Sequence, residues 1–325
     1  MEPVLEVRNL KKYFDTPGGR LHAVDDVSFS VKKKQTLGIV GESGCGKSTV
    51  GRLVLHLLDH TGGEIFYNGE NISKISSKRR YELCSQMQMI FQDPMSSLDP
   101  RMTVFQTIAE PLVIFKYGSK DKIASRVYEI MDTVGIARRL RDSYPHELDG
   151  GRRQRVGIAR ALVLCPQVII CDEPVSALDV SIQAQILNLM QDLQAHMELT
   201  YLFITHDLSV VRYISHEIMV MYLGKVVEHC EAKELFRFPL HPYTKALLSA
   251  VPVPDVDGNK GRILLKGEIT SPIDRAPGCR FAARCVHAKE KCFKENPRYR
   301  EIQNGHRAAC HYVEEINHMK EEEKP

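Results

Sequence analysis

Apolar residues along this chain gather into short β-branched runs separated by stretches of helical spacing. Thr36–Val40, Met87–Phe91, Val168–Cys171 and Tyr201–Thr205 read as buried strands. Ile182, Ile186, Leu189 and Leu193 recur on one helical face, a spacing that predicts a core-facing stripe. Strands alternating with helices predict an α/β fold with a mainly parallel sheet covered on both faces. From about residue 93 to 160 the pattern turns helical, with turn signals at Pro94, Pro100, Pro111 and Pro145. This predicts a helical subdomain inserted in the α/β core, two long crossovers being the plainer alternative. After about Ala250 the periodicity fades among Pro252, Pro254, Gly258, Gly261, Pro272, Pro277 and Gly278, and four cysteines follow. The expected division is therefore a core over 1–250 and a small cysteine-rich C-terminal module over 251–325. The charged end, Glu314–Pro325, is expected to fray.

Composition narrows the picture only modestly. The 325 residues are 43% hydrophobic and 26% charged, and the net charge of +3 gives no reason to expect a nucleic-acid partner. The start lacks the basic, apolar and small-residue order of a signal peptide, and no apolar run approaches the roughly 20 residues of a membrane span. Any membrane role is expected to be peripheral, and the nine cysteines read as thiols or metal ligands before disulfides.

The strongest chemical signal is Gly41-Glu42-Ser43-Gly44-Cys45-Gly46-Lys47-Ser48-Thr49. It satisfies G-x-x-x-x-G-K-[ST] between a predicted strand and a helix carrying Leu53 and Val54, the context that a phosphate-binding loop requires. Its glycines let backbone N–H groups converge on a β-phosphate, aided by the helix N-terminus. Lys47 is expected to reach the β- and γ-phosphates, and the Ser48 hydroxyl to ligate Mg²⁺. Downstream, Val168–Cys171 runs into Asp172 and Glu173. A strand end would bring both to the loop's edge of the sheet, Asp172 to hold Mg²⁺ through water and Glu173 to polarise an attacking water.

On these residues the chain resembles the ATP-binding subunits of ABC transporters, over essentially its whole length. The resemblance implies that Gln92, after the Met87–Phe91 strand, is the glutamine that senses Mg²⁺ or water and links the site to membrane subunits. Ser176-Ala177-Leu178-Asp179 is similar to the loop that crosses the dimer interface, and His206 to the switch histidine that contacts the γ-phosphate. Tyr13 resembles the aromatic that stacks on adenine, with Phe14 beside it as the alternative. The family's Leu-Ser-Gly-Gly-Gln signature, which caps the ATP of the opposite subunit, here reads Leu148-Asp149-Gly150-Gly151-Arg152. Asp149 replaces the serine. A carboxylate about 4 Å from a phosphate charge would be repelled by about 4 kcal/mol at an effective dielectric near 20. Asp149 could instead cap the helix that follows, with Arg152 and Arg153 supplying compensating charge. Because the signature acts across the dimer, the expectation is that this chain's own site, completed by a partner's signature, is the better one and the site completed by Asp149 the weaker.

His241-Pro242-Tyr243-Thr244 resembles the opening of the C-terminal extension in dipeptide and oligopeptide importer ATPases, and Pro174–Asp179 is closest to the F-type member of their paired subunits. Cys279, Cys285, Cys292 and Cys310 follow as C-x5-C-x6-C-x17-C. Their spacing allows a [4Fe-4S] cluster, a tetrahedral zinc or plain thiols, and the resemblance favours the cluster. His287, His306 and His311 are expected at the surface. The resemblance further implies ATP and Mg²⁺ as cofactors and a paralogous ATPase subunit as dimer partner, with a homodimer in isolation. It also implies two transmembrane permeases, an extracytoplasmic peptide-binding protein and a place on the cytoplasmic face of the membrane. A nickel or other small-solute importer, a soluble ABC ATPase acting on ribosomes or DNA, and a largely non-hydrolysing regulatory subunit are the rival readings.

Overall fold

The computed structural model describes residues 2–251, 263–265, 267, 273 and 277–319. Much of the Pro- and Gly-punctuated stretch after Ala250, and the end of the charged tail, lie outside the described residues. Twelve strands follow one another among those described: β1 (Pro3–Thr16), β2 (Gly19–Lys32), β3 (Thr36–Val40), β4 (Gly62–Tyr67), β5 (Glu70–Asn71), β6 (Met87–Ile90), β7 (Val168–Asp172), β8 (Thr200–Thr205), β9 (Glu217–Tyr222), β10 (Lys225–Glu231), β11 (Arg300–Gln303) and β12 (His306–Ala308). The chain forms two compact units, each gathered from separate stretches of sequence.

One unit combines residues 2–4 and Val31–Thr36 with Lys74–Ile204. Its β6, β7 and β8 lie parallel, with Met87 opposite Val168 and Val168 opposite Thr200. β7 and β8 are buried along their whole length, as continuous apolar runs in a sheet covered on both faces must be. Between β6 and β7 the described chain is helical, over Pro94–Ser97, Val104–Ile114, Lys120–Thr133 and Gly150–Leu162. Local chemistry fixes the starts. Thr103 and Gln106 form a reciprocal capping box, and the Ser119 hydroxyl accepts from Lys122 N. The stripe read from the sequence is shifted: the helix Val180–Met197 buries Ile186, Leu187, Met190 and Leu193, while Ile182 and Leu189 are only half-buried.

The second unit combines Leu5–Ser30, Leu37–Ser73 and the described residues from Thr205 onward. It holds an antiparallel sheet in the order β2-β1-β4-β5, with Leu5 opposite Tyr67. It also holds the run β11-β12-β10-β9-β3, in which only β3 and β9 are parallel. Antiparallel strands thus accompany the parallel ones within the mainly parallel α/β fold that the sequence predicts. β9 and β10 are joined through Leu223 and Gly224, both at positive φ (45° and 83°), the backbone that a two-residue hairpin turn demands.

The C-terminal residues do not stand apart as a cysteine-rich module. β12 pairs with β10, Glu228 opposite Ala308, and Phe281 packs edge-on against Tyr222 with ring centroids 5.3 Å apart. The expected fraying is also corrected as far as the chain is described: Val313–Ile316 is helical, Val313 is fully buried, and Glu314 and Glu315 pair with Arg300 and Lys289. No described helix is long and apolar enough to cross a membrane.

Candidate functional site

The phosphate loop belongs to the second unit. Fully buried β3 leads into it, and the helix Lys47–Val54 leads out, burying Val50, Leu53 and Val54. Two of its glycines are obligatory. A Cβ on Gly41, at φ 153°, would lie 2.1 Å from the Met221 carbonyl oxygen, and one on Gly46, at φ 100°, 2.1 Å from that of Ala23. Gly44, at φ 76°, has open space around it, and Ser43 is exposed. Lys47 is buried, its Nζ donating to the carbonyls of Gly41 at 2.8 Å and Glu42 at 3.0 Å, so the ammonium sits inside the curve of the loop. Cys45 is buried beside it, its Sγ 3.9 Å from Nζ, while Ser48 and Thr49 lie half-buried in the first helical turn.

Tyr13 is tied to its neighbours through both its ring and its hydroxyl. Its ring lies 4.3 Å from that of His22, and its hydroxyl donates to Asp25 Oδ1 at 2.7 Å. Burial, and then the bond to Asp25, push the Tyr13 phenol up to about 12. Burial favours protonation of Asp25, but the Tyr13 hydroxyl together with Lys225 and Arg280 outweighs it and holds the carboxyl below its usual range. Phe14 carries Lys12 over its ring at 4.8 Å. His206 is exposed just beyond β8, where Asp207 caps the helix Leu208–Ile214.

The carboxylates belong to the other unit. Asp172 ends β7 and is buried. Glu173 follows at φ 49°, a left-handed backbone that a residue with a Cβ adopts at a cost of order 1–3 kcal/mol. Hydrogen bonds hold it there: Glu173 N donates to Ile204 O at 2.8 Å, and Ser176 Oγ donates to Glu173 O at 3.1 Å. Gln92 Nε2 donates to Glu173 Oε2 at 3.0 Å, so two residues singled out separately in the sequence meet, and the amide fixes the carboxylate's orientation.

Asp149 is the N-cap of the helix Gly150–Leu162. Its Oδ1 accepts from Arg152 N at 2.8 Å, and Arg152 Nε lies 3.3 Å from Oδ2. The serine's replacement therefore performs the capping that serine would, with an added charge. The two signature glycines make room: a Cβ on Gly151 would come within 2.8 Å of Ile182 Cγ2, and one on Gly150 within 3.2 Å of Leu178 Cδ2. Asp179 likewise caps its own helix, accepting from Ile182 N at 3.0 Å and Ser181 Oγ at 2.8 Å, and these bonds hold its carboxyl below the usual range.

The four C-terminal cysteines are free thiols, and no group of three or more His, Cys, Asp or Glu among the described residues is arranged to hold a metal ion. They are nonetheless neighbours. Cys279 N donates to Cys292 O at 2.7 Å, and burial, with the charges of Cys310, Cys292 and Cys285 added, pushes the Cys279 thiol up to about 12. Burial likewise takes Cys310 to about 11. His306 is not at the surface: it is 1% exposed, its Nε2 lying 2.8 Å from Oε1 of the fully buried Glu228. Glu228 also accepts from Leu240 N and His241 N. Sequence reading missed Asp25, Arg280 and Arg284, whose partners lie up to 255 positions away and leave no local signal.

Residues 24–176 match the family described as "ABC transporter", and residues 227–292 the one described as "Oligopeptide/dipeptide transporter, C-terminal region". The chain is 50% identical to the oligopeptide transport ATP-binding protein AppF of Bacillus subtilis, across 95% of this chain and 97% of that protein. It is 55% identical to OppF of the same organism, across 82% and 88% of the two chains. The chain belongs to this family. As an oligopeptide ABC transporter ATP-binding subunit it also shares its fold with the solved dimer of the cassette MJ0796 in a post-hydrolysis state bound to ADP and Pi. That likeness has a TM-score of 0.64 at 27% identity, over 70% of this chain and 98% of that one.

Proposed function

We infer that this subunit hydrolyses ATP to energise the import of oligopeptides by an ABC transporter. The observation that carries the reading is identity of 50% along nearly the whole chain to an oligopeptide transport ATP-binding protein, together with a formed phosphate loop. In this reading the Gly41–Thr49 loop and Lys47 cradle the phosphates, Ser48, Gln92 and Asp172 serve Mg²⁺, and Tyr13 faces the base. Glu173, oriented by Gln92, polarises the attacking water, and His206 contacts the γ-phosphate. The partners are a second ATPase subunit, two permeases and a peptide-binding protein, with this chain on the cytoplasmic face. ATPase activity of the assembled transporter should rise when peptide-loaded binding protein is added. Stimulation by nickel salts or glycosides but not by peptide would sink the reading.

The dimer's two sites are unequal. Asp149, exposed at its helix start, lends the partner's ATP a carboxylate where a neutral hydroxyl would serve, whereas this chain's own loop, Glu173 and His206 need only a partner's signature. Cys279, Cys285, Cys292 and Cys310 are the residues that would hold a [4Fe-4S] cluster, with zinc the alternative. Thiols are the donor chemistry that either metal takes, but the described residues are not arranged as a metal site, and binding would have to displace the protons that burial holds on Cys279, Cys285 and Cys310. Iron and acid-labile sulfide in anaerobically purified protein would bear out the cluster; a colourless protein with stoichiometric zinc would overturn it.

A further inference from the structure

Glu42 is the first variable position of the phosphate loop, and it is gripped on every polar atom. Its N–H donates to Tyr243 Oη at 2.9 Å, its carbonyl accepts from Lys47 Nζ at 3.0 Å, and its carboxylate receives both terminal nitrogens of Arg284, at 2.7 and 3.1 Å. Tyr243 is fully buried, its ring 4.7 Å from that of Tyr222 and 5.4 Å from that of Phe281. Arg284 is 8% exposed and lies over the Tyr222 ring. Neither residue belongs to the loop, its strand or its helix. Both come from the C-terminal stretch, Tyr243 from the helix Pro242–Ser249 and Arg284 from the turn Ala282–Arg284.

The placement answers an electrostatic problem. A carboxylate within a loop that must hold a triphosphate opposes its own ligand, and in a partly buried setting that repulsion is weakly screened. A two-pronged guanidinium neutralises it and fixes its direction, which a lysine would do less well. Tyr243, by engaging the Glu42 N–H, settles which backbone donors remain for phosphate. We propose that Arg284 and Tyr243 are positioning residues for nucleotide binding: the C-terminal stretch neutralises and orients Glu42, and so tunes the affinity of the phosphate loop for ATP.

The proposal rests on the ATP-binding reading above, and its test separates the two. Isothermal titration of Mg²⁺ and ATP into the purified full chain gives the Kd for the wild type, R284M, E42Q, the double variant E42Q/R284M, R284K and Y243F. Arg284→Met should weaken ATP binding about tenfold, because it leaves the Glu42 charge uncompensated. The double variant should return to within about threefold of wild type, a rescue that a merely structural arginine would not show. Arg284→Lys should lie between wild type and Arg284→Met. Arg284→Met binding within twofold of wild type, or a double variant as weak as Arg284→Met, overturns the proposal. Should Arg284→Met not fold, as judged by its melting curve without nucleotide, Tyr243→Phe decides: about threefold weaker binding supports the proposal and unchanged binding refutes it. A wild-type chain that binds no ATP would instead overturn the parent reading.

Discussion

Glu173 and Asp149 show how differently single residues relate to their surroundings. Glu173 is held in left-handed backbone, tethered through its N–H and its carbonyl and oriented by Gln92. Such a conformation persists only where its neighbours over-determine it, which suits the water-activating role proposed for Glu173. Replacing Gln92 with Ala removes the amide donor while leaving Glu173 in place. Steady-state ATPase of the assembled transporter should then fall at least tenfold in kcat, because Glu173 loses its orienting donor, with a smaller rise in KM from the lost service to Mg²⁺. Asp149 tests charge apart from structure. Serine caps as well as aspartate, so Asp149→Ser should leave the melting temperature within about 2 °C, whereas Asp149→Ala should cost about 1 kcal/mol. If the charge at the helix start weakens one ATP site, the serine variant should hydrolyse ATP faster than wild type at saturating nucleotide. An unchanged rate would confine Asp149 to capping.

At the scale of elements, the phosphate loop depends on close backbone approach. Gly46→Ala would push a methyl group into the Ala23 carbonyl, which as backbone cannot step aside, and it would demand φ near 100° of a residue with a Cβ. Folded protein should drop sharply in yield, or ATP binding should be lost, as read by gel filtration and titration. The helix Pro242–Ser249 carries a different sensitivity. Its cap, His241 Nδ1, accepts from Tyr243 N and must therefore be unprotonated. Burial lowers the His241 imidazole from 6.5 to about 4. The unfolded chain then takes up a proton that the folded chain refuses, so stability falls on acidification from about pH 6.5 towards pH 4, by on the order of 3 kcal/mol. His241→Asn, which can still cap, should flatten that part of a denaturation curve measured against pH.

Across the whole molecule, what was legible in the sequence was whatever is encoded locally. The predicted runs at Thr36, Met87, Val168 and Tyr201 became β3, β6, β7 and β8, because buried parallel strands need unbroken apolar runs. The phosphate loop was legible because its geometry demands glycines at fixed spacing. The half-exposed β1, β2 and β4 were not, since their charged and apolar residues mix without a clear period. The antiparallel extension β9–β10–β12 was not either, because it pairs Glu228 with Ala308, far along the chain, and no local pattern announces so distant a partner. His306 was misplaced for the same reason: its buried partner, Glu228, lies 78 positions away. The C-terminal residues thus complete the unit that carries the phosphate loop.

The most direct test of the account is uptake of a labelled oligopeptide by cells lacking this subunit, complemented with the wild-type chain or with Glu173→Gln. The wild-type chain should restore uptake, and Glu173→Gln, although still binding ATP, should leave it at the level of the deletion. Peptide uptake at wild-type rates in the deletion cells, or full rescue by Glu173→Gln, would contradict it.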